Sequence, residues 1–386
     1  MLINIKPSNS ILDFCLPYKK SFSDLVWPNS KIETWKMTPL NKFINNKNNY
    51  KVESYYKTNV DNKVNILKEI DANNIQFLKS NFFKNSKMTD IILSNISSSF
   101  EVLLPDNFSS NYDINFSSIV ESDIWASSVI VIKTGKNVKA NIKFDYSLTS
   151  NSLCTPLILF DIDDNSSLSF GLNVINKDNF LKDANFISLI EGNINKHSNL
   201  DMVVTQQGVN MSRSDINMNL KNDFSSYNLT GIYFGRDKHH QDITACVNHL
   251  AQNTSSNQIV RGILDDSSVG VYQGGIKVAP KAQKTDGKQM SRALLLSKLA
   301  ESNSKPELEI FADDVTCAHG ATIGELDKDQ FFYLLSRGIS YNEARDILIK
   351  AYLSEILSEV QNEFLYDQLD YAINFWLDEF YSKVAA

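Results

Sequence analysis

Glycine is scarce in this chain of 386 residues: it fills 14 positions, roughly half the ~7% share of an average protein. That argues against Gly-rich phosphate loops as the main theme. No apolar run approaches the ~20 residues that a membrane-spanning helix needs. The first twenty residues have no basic stretch followed by an apolar core, so no secretory signal is expected. The four cysteines, Cys15, Cys154, Cys246 and Cys317, are far apart and form no CxxC pair. In a long chain without a signal this pattern reads as reduced cytosolic thiols, not a disulfide framework. GxGxxG, HExxH and GxSxG are all missing. Gly287-Lys288 is followed by Gln289 and lacks the upstream glycine of a P-loop, so ATP binding by such a loop is not expected. A net charge of −7 speaks against a general nucleic-acid binder, which would carry a basic face.

What is present is an ordinary globular supply of 42% apolar and 22% charged residues, with a bias toward Asn, Ser, Lys and Ile. Residues 1–125 form an N-terminal, partly helical region. Ser21–Trp27 and Ile32–Ile44 have short helical spacing, Val64–Phe83 suits one or two helices, and Asp106–Ser118 is polar and turn-rich. From Ser127 short β-prone runs repeat, many with period-2 alternation, as in Ile142, Phe144 and Tyr146. Between them lie Asn, Asp, Ser and Gly clusters. Such spacing indicates a sandwich, a barrel or a β-helix. Asp286-Gly287 is the only tight hairpin dipeptide of its kind. Few hairpin turns lean toward a parallel β-helix, in which Asn side chains can stack between coils. Periodicity alone leaves β-helix and sandwich level.

Residues 326–386 read as a helical domain. Asp327 is an N-cap for Lys328–Ser336, and Arg337-Gly338 supplies a basic last turn and a C′ glycine. Ser340 and Glu343 form a capping box. Ala344, Ile347, Leu348, Ala351 and Tyr352 follow as an apolar helix face, and a further amphipathic helix covers Phe364 to Phe380.

The densest polar segment runs from Glu309 to Thr322. On a strand, Cys317 and His319 point to the same face. A thiolate beside an imidazole is a soft metal site or a nucleophile pair; the plainer alternative is a buried Cys beside a hydrogen-bonded His. Two donors do not close a four-coordinate site, so further ligands would come from elsewhere in the fold or from another chain. Asp313-Asp314 would face opposite ways on a strand, which favours a turn over paired-carboxylate catalysis. His239, His240 and His249 read as a polar surface loop with a core-edge histidine, unless His249 faces the Cys317/His319 strand from a neighbouring coil.

One run resembles a known family. Gln273-Gly-Gly-Ile-Lys-Val-Ala-Pro-Lys-Ala-Gln-Lys-Thr-Asp-Gly-Lys-Gln-Met continues through Ala293-Leu-Leu-Leu-Ser, Pro306-Glu-Leu-Glu-Ile-Phe-Ala-Asp-Asp-Val, Cys317-Ala-His-Gly-Ala-Thr, Gly324-Glu-Leu-Asp and Phe332-Tyr-Leu-Leu-Ser-Arg-Gly-Ile339. Pro28-Asn-Ser-Lys-Ile-Glu-Thr-Trp-Lys-Met-Thr-Pro-Leu40 is a second anchor. Together they resemble the SufB/SufD family of iron–sulfur cluster assembly scaffolds. The Cys-x-His-Gly-Ala-Thr form is most like SufD.

The resemblance implies a mainly β fold: a right-handed parallel β-helix core over 126–325, flanked by the N-terminal partly helical region and the C-terminal helical domain. It implies a non-catalytic subunit of a SufB–SufC–SufD scaffold, cytoplasmic, with no nucleic-acid or membrane partner. Its partners would be a SufB-like scaffold subunit and a SufC-like ATPase. A transient iron–sulfur cluster would form in the complex, with ATP bound by the ATPase and not by this chain. His319 and Cys317 become candidate metal ligands shared with a partner chain. ATPase docking falls to the C-terminal helices, with Ser336, Arg337, Gly338, Ile339, Ala344 and Leu348 as candidate contacts. Removal of 326–386 is expected to leave the β-body folded. The rival reading, from a different class, is a β-helix carbohydrate-active enzyme.

Overall fold

The computed structural model describes residues 2–3, 6–45, 48, 50–60, 66–71, 86–109, 113–176 and 183–384. Four strands are short: β1 (Leu2–Ile3), β2 (Lys51–Val52), β3 (Tyr56–Thr58) and β4 (Leu67–Lys68). The solenoid begins with β5 (Ser98–Leu104), β6 (Ile114–Val120), β7 (Ile124–Thr134), β8 (Lys139–Leu148), β9 (Ser152–Ile162) and β10 (Ser167–Val174). It continues through β11 (Ala184–Ile194), β12 (Asn199–Gln206), β13 (Met211–Leu220), β14 (Ser226–Gly235) and β15 (His240–His249). Its last strands are β16 (Ser255–Leu264), β17 (Val269–Val278), β18 (Asp286–Leu295), β19 (Glu301–Ile310) and β20 (Thr316–Gly324). Even-numbered strands from β6 to β20 form one face and odd-numbered strands from β5 to β19 the other. Pairing along each face is parallel, so the chain climbs as a parallel β-solenoid of about eight turns. Asn199, Ser226, Ser255, Asp286 and Thr316 stand in one register column.

Period-2 alternation places one side of every strand in the lumen. In β8 the inward residues Ile142, Phe144 and Tyr146 are buried. Phe116 stacks on Phe144 with ring centroids 4.6 Å apart, in register across β6 and β8. The early turns are thus filled by aromatic rings, each worth about 2–3 kcal/mol of burial.

The Asn and Asp bias is a property of the corners. Among the described residues twelve non-glycine residues have positive φ, and nine of them are Asn or Asp, the types that tolerate the left-handed region best. One column of corners shows what this conformation achieves. The N–H of Asn137 donates to Asp164 O at 3.1 Å, that of Asn165 to Lys196 O at 2.9 Å and that of His197 to Asp223 O at 3.2 Å. Asn253 N–H donates to Gln283 O at 3.0 Å and Lys284 N–H to Asp314 O at 2.6 Å. Each left-handed residue turns its N–H toward the next coil, so the corners are hydrogen-bonded as the strands are. Asparagine takes the role that glycine would otherwise fill, and its side chain adds rungs such as Asn137 Nδ2 to Asn107 Oδ1 at 3.0 Å.

The two ends of the chain cover opposite outer faces. Trp27, Trp35 and Leu40 pack with Trp125, Leu153, Leu157 and Ile187 on the odd-numbered face. Helices Tyr341–Leu357 and Glu363–Val384 lie on the even-numbered face, where Ile349, Leu353, Leu369 and Trp376 meet Val203, Ile232, Phe234 and Leu294.

Several expectations differ from this arrangement. β5 and β6 lie within residues 1–125, and the polar run Asp106–Ser118 contains most of β6. The alternation in β6 is broken by Ser118, which faces in, and Ile119, which faces out. The helical spacing at Ser21–Trp27 and Ile32–Ile44 yields only single 3-10 turns at Phe22–Asp24, Glu33–Trp35 and Leu40–Lys42, cut short by Pro28 and Pro39. Of Val64–Phe83, residues 66–71 contain β4 and no helix; the remainder lies outside the described residues. The C-terminal reading agrees closely. Asp327 caps Lys328–Ser336, Gly338 has φ 85°, and the Ser340/Glu343 capping box is formed.

If the corners depend on left-handed backbone, Asn165→Val should destabilise the chain by about 1–2 kcal/mol, and Asn165→Gly should be nearly neutral. Urea unfolding of the two variants checks this; equal midpoints would remove the corner argument.

Candidate functional site

β20 and β19 are the last strands of their sheets, and no strand pairs beyond them among the described residues. Most β20 residues are exposed and most β19 residues are half-buried, in contrast to the largely buried strands beneath. β20 lies in register on β18, with Cys317 over Gly287 and His319 over Gln289. Gly287 and Gln289 are buried lumen residues, so Cys317 and His319 point to the lumen side of the final coil, on one face of one strand. Among the described residues no coil covers them. Cys317 is half-buried against the solenoid core, and His319 is exposed.

Gly287 lies against both Ile276 and the thiol, and the tighter of the two contacts is with Ile276. A Cβ added there would lie 3.5 Å from Cys317 Sγ and 3.2 Å from Ile276. Burial raises the Cys317 pKa above the ordinary thiol value; a hydrogen bond with the Gly287 backbone works against this, and Asp286 adds to it. The resting group at neutral pH is therefore a thiol, which must lose its proton to bind a metal. Beneath the pair the lumen is polar. Tyr272 Oη donates to Gln289 Oε1 at 3.3 Å, and Gln289 Nε2 donates to Glu307 O at 3.1 Å.

The chain does not complete a metal site here. Among the described residues no three His, Cys, Asp or Glu groups gather as a metal cluster. Cys15 and Cys154 are buried elsewhere: burial pushes the Cys15 thiol up to about 12 and the Cys154 thiol higher still. Cys246 is half-buried on β15, with its thiol pushed up to about 11 by burial first. Two donors fit a shared shell and not a whole iron–sulfur cluster, which takes about four protein ligands.

The other candidates are structural. His249 is buried in the lumen, its Nδ1 2.8 Å from Thr254 Oγ1 and its Nε2 2.9 Å from Ser256 Oγ. Ser256 lies two register steps below Cys317, beneath Gly287, so His249 belongs to a lower coil and has both ring nitrogens engaged. His240 is also buried, and its Nε2 lies 2.8 Å from Thr38 Oγ1; it is no surface-loop residue. Asp314 sits at a corner, paired with Lys284 at 2.7 Å, which agrees with the turn reading.

In the C-terminal helices Ser336, Arg337 and Gly338 are exposed, Ile339 and Leu348 are half-buried, and Ala344 is buried. The apolar face expected at Ala344, Ile347, Leu348, Ala351 and Tyr352 packs only in part: Ala344 is buried and Tyr352 is half-buried against the sheet. Ala344, Ile349, Leu353 and Ile356 are buried, whereas Ile347 and Ala351 are exposed. This helix has apolar residues on two sides, so spacing did not identify the packed one. Sequence reasoning also passed over the outer side of Lys328–Ser336, where Phe332, Tyr333 and Leu335 are exposed. The cue was five consecutive apolar or aromatic residues, 331–335, on a nine-residue helix, more than one face can bury.

The family model described as "SUF system FeS cluster assembly, SufBD core domain" matches residues 118–352. The chain is 41% identical over 128 residues to the iron–sulfur cluster assembly protein SufD of Escherichia coli, covering 33% of this chain and 30% of that protein. It is 35% identical over 167 residues to an iron–sulfur cluster assembly SufBD family protein of Synechocystis, covering 43% and 36%. With SufD of Bacillus subtilis it shares 31% identity over 156 residues, covering 40% and 36%. The matched stretch thus spans about a third of these relatives.

Burial lowers both His240 and His249 from 6.5 to about 4. The unfolded chain then holds more protons between those values. Each histidine contributes stability that is complete above pH 6.5 and is lost as pH falls toward 4, on the order of 3 kcal/mol apiece. His249→Gln should flatten the fall in melting temperature between pH 7 and pH 4. An unchanged pH profile would contradict the buried, neutral assignment.

Proposed function

Because this chain belongs to the SufBD family of iron–sulfur cluster assembly proteins, we propose that it acts as a SufD-like, non-catalytic subunit of a scaffold built with a SufB-like chain and a SufC-like ATPase. The iron–sulfur cluster is the cargo of that assembly. In this reading Cys317 and His319 contribute to the site of nascent cluster formation, the partner subunit supplies the remaining ligands, and the complex works in the cytoplasm. No described helix is long and apolar enough to cross a membrane.

The observation that carries the reading is the open final coil. Cys317 and His319 sit together on a strand whose outer edge has no partner among the described residues. The two edges differ in a way that favours β20 as the joining one. β19 contains Glu301, Lys305, Glu307, Glu309 and Pro306, all features that discourage edge pairing. β20 has no Lys, Arg, Asp or Glu over its nine residues. A strand from a partner can extend that sheet and bring donors to the thiol and imidazole.

The ATPase is proposed to meet the exposed Phe332, Tyr333 and Leu335 together with the turn Ser336–Ile339 and Leu348. Ala344 is buried, and its small side chain serves helix packing. Removing 326–386 would expose Val203, Ile232, Phe234 and Leu294, which the helices cover, so deletion is not a clean test of docking. Point changes are better.

His319→Ala should lower iron and sulfide per purified complex severalfold with little change in the melting temperature of this chain. Cys317→Ser should have a comparable effect if the thiol is a ligand and a smaller one if it only packs. Unchanged cluster content in His319→Ala would return that residue to an ordinary surface role. Phe332→Asp should abolish co-purification of the ATPase while the circular dichroism of the chain stays the same; retained binding would exclude this face. The carbohydrate-enzyme alternative is not favoured by any of these features.

A further inference from the structure

We infer that the segment Glu33–Thr38 is a positioning strap that fastens the final coil of the solenoid to the coils beneath it. The segment crosses the outer side of the odd-numbered face. At its far end Thr38 Oγ1 is hydrogen-bonded to His240 Nε2 at 2.8 Å and to Asp242, both on β15. Asp242 also receives Arg213 Nη1 from β13 at 2.6 Å. Trp35 closes this pair off, its ring 3.9 Å from the Arg213 guanidinium carbon. Thr38, Trp35, Arg213 and Asp242 are all buried. Further along, Gln273 Nε2 of β17 donates to Thr34 O at 3.2 Å. At the near end Glu33 pairs with Lys305 of β19 at 3.0 Å.

These contacts fall in neighbouring register columns of one face: Arg213 is in register with Asp242, and Gln273 with Lys305 in the column two residues further along. Asp215, Thr244, Gln273 and Lys305 stand directly above one another on β13, β15, β17 and β19. The strap therefore touches four successive strands and ends on the edge strand, which has a neighbour on one side only. The strong part of the attachment is the buried end. The exposed Glu33–Lys305 pair is weak by itself, but it is held in place by Trp35 and Thr38 and so acts locally on β19. β19 and β20 form the same final coil, so fixing one limits the motion of the other. Glu33, Trp35 and Thr38 are positioning residues in this sense; none touches Cys317 or His319. The consequence for cluster formation rests on the function proposed above, whereas the fastening of β19 does not.

Hydrogen exchange by mass spectrometry on the full chain tests the fastening. Thr38→Val removes the hydroxyl that meets His240 and Asp242, and should speed exchange of the β19 amides about tenfold or more, with β11 unchanged. Thr38→Ser keeps the hydroxyl and should restore wild-type exchange. Glu33→Gln leaves the buried network intact and should give about a twofold effect confined to β19; it serves if Thr38→Val does not fold. Iron and sulfide per complex should fall with Thr38→Val and return with Thr38→Ser. Unchanged β19 exchange, or equal loss of protection in β11, overturns the strap. Faster exchange at β19 with normal cluster content overturns its positioning role. If the wild-type complex holds no cluster, the function proposed above fails, and the exchange data still decide the strap.

Discussion

A parallel solenoid satisfies its backbone hydrogen bonds only between successive coils, and this constraint governs the rest of the molecule. Every inner strand has a partner above and below. The last coil does not, and its unpaired N–H and C=O groups must meet water or another chain. The lumen shows the same asymmetry. Phe116, Phe144 and Phe170 fill the early turns, while Gln289, Tyr272 and Gly287 occupy the last ones. Under this open edge His319 is exposed and Cys317 is half-buried against the core.

Both sheets also have apolar outer sides that need cover. The N-terminal segment covers the odd-numbered face through Trp27, Trp35 and Leu40, and the C-terminal helices cover the even-numbered face through Ile349, Leu353 and Trp376. The final coil is left as the open part of the barrel. The N-terminal cover is not purely apolar. It encloses Arg213, Asp242, Thr38 and His240, a charged group whose burial is tolerable only because each member has a partner. Removing one partner is costly, which makes this cover specific in position as well as adhesive.

Local rules were read correctly wherever the physics is local. Capping at Asp327 and Ser340, the C′ glycine at Gly338, and the alternation of Ile142, Phe144 and Tyr146 each depend on residues a few positions apart. The reading failed where a face had competing candidates. Ile347 and Ala351 are spaced as well as Ile349 and Leu353, but only the latter side meets the sheet. It failed in β6 because Ser118 faces in and Ile119 faces out, against the alternation. The histidines were open for another reason: His249 and Ser256 are neighbours in the chain, but their place in the stack depends on the number of residues in each coil.

The sequence by itself determined the strand repeat, the C-terminal helices with their caps, and the pairing of Cys317 with His319 on one strand face, because those follow from periods of two and 3.6 residues. Its two anchor motifs identified the family. Tertiary structure alone decided which coil is last, and hence that this face is open. It alone joined Trp35 to Arg213, Thr38 to Asp242 and Glu33 to Lys305. Those partners are separated by nearly two hundred residues or more, and only the stacking of the coils brings them to neighbouring columns of one face.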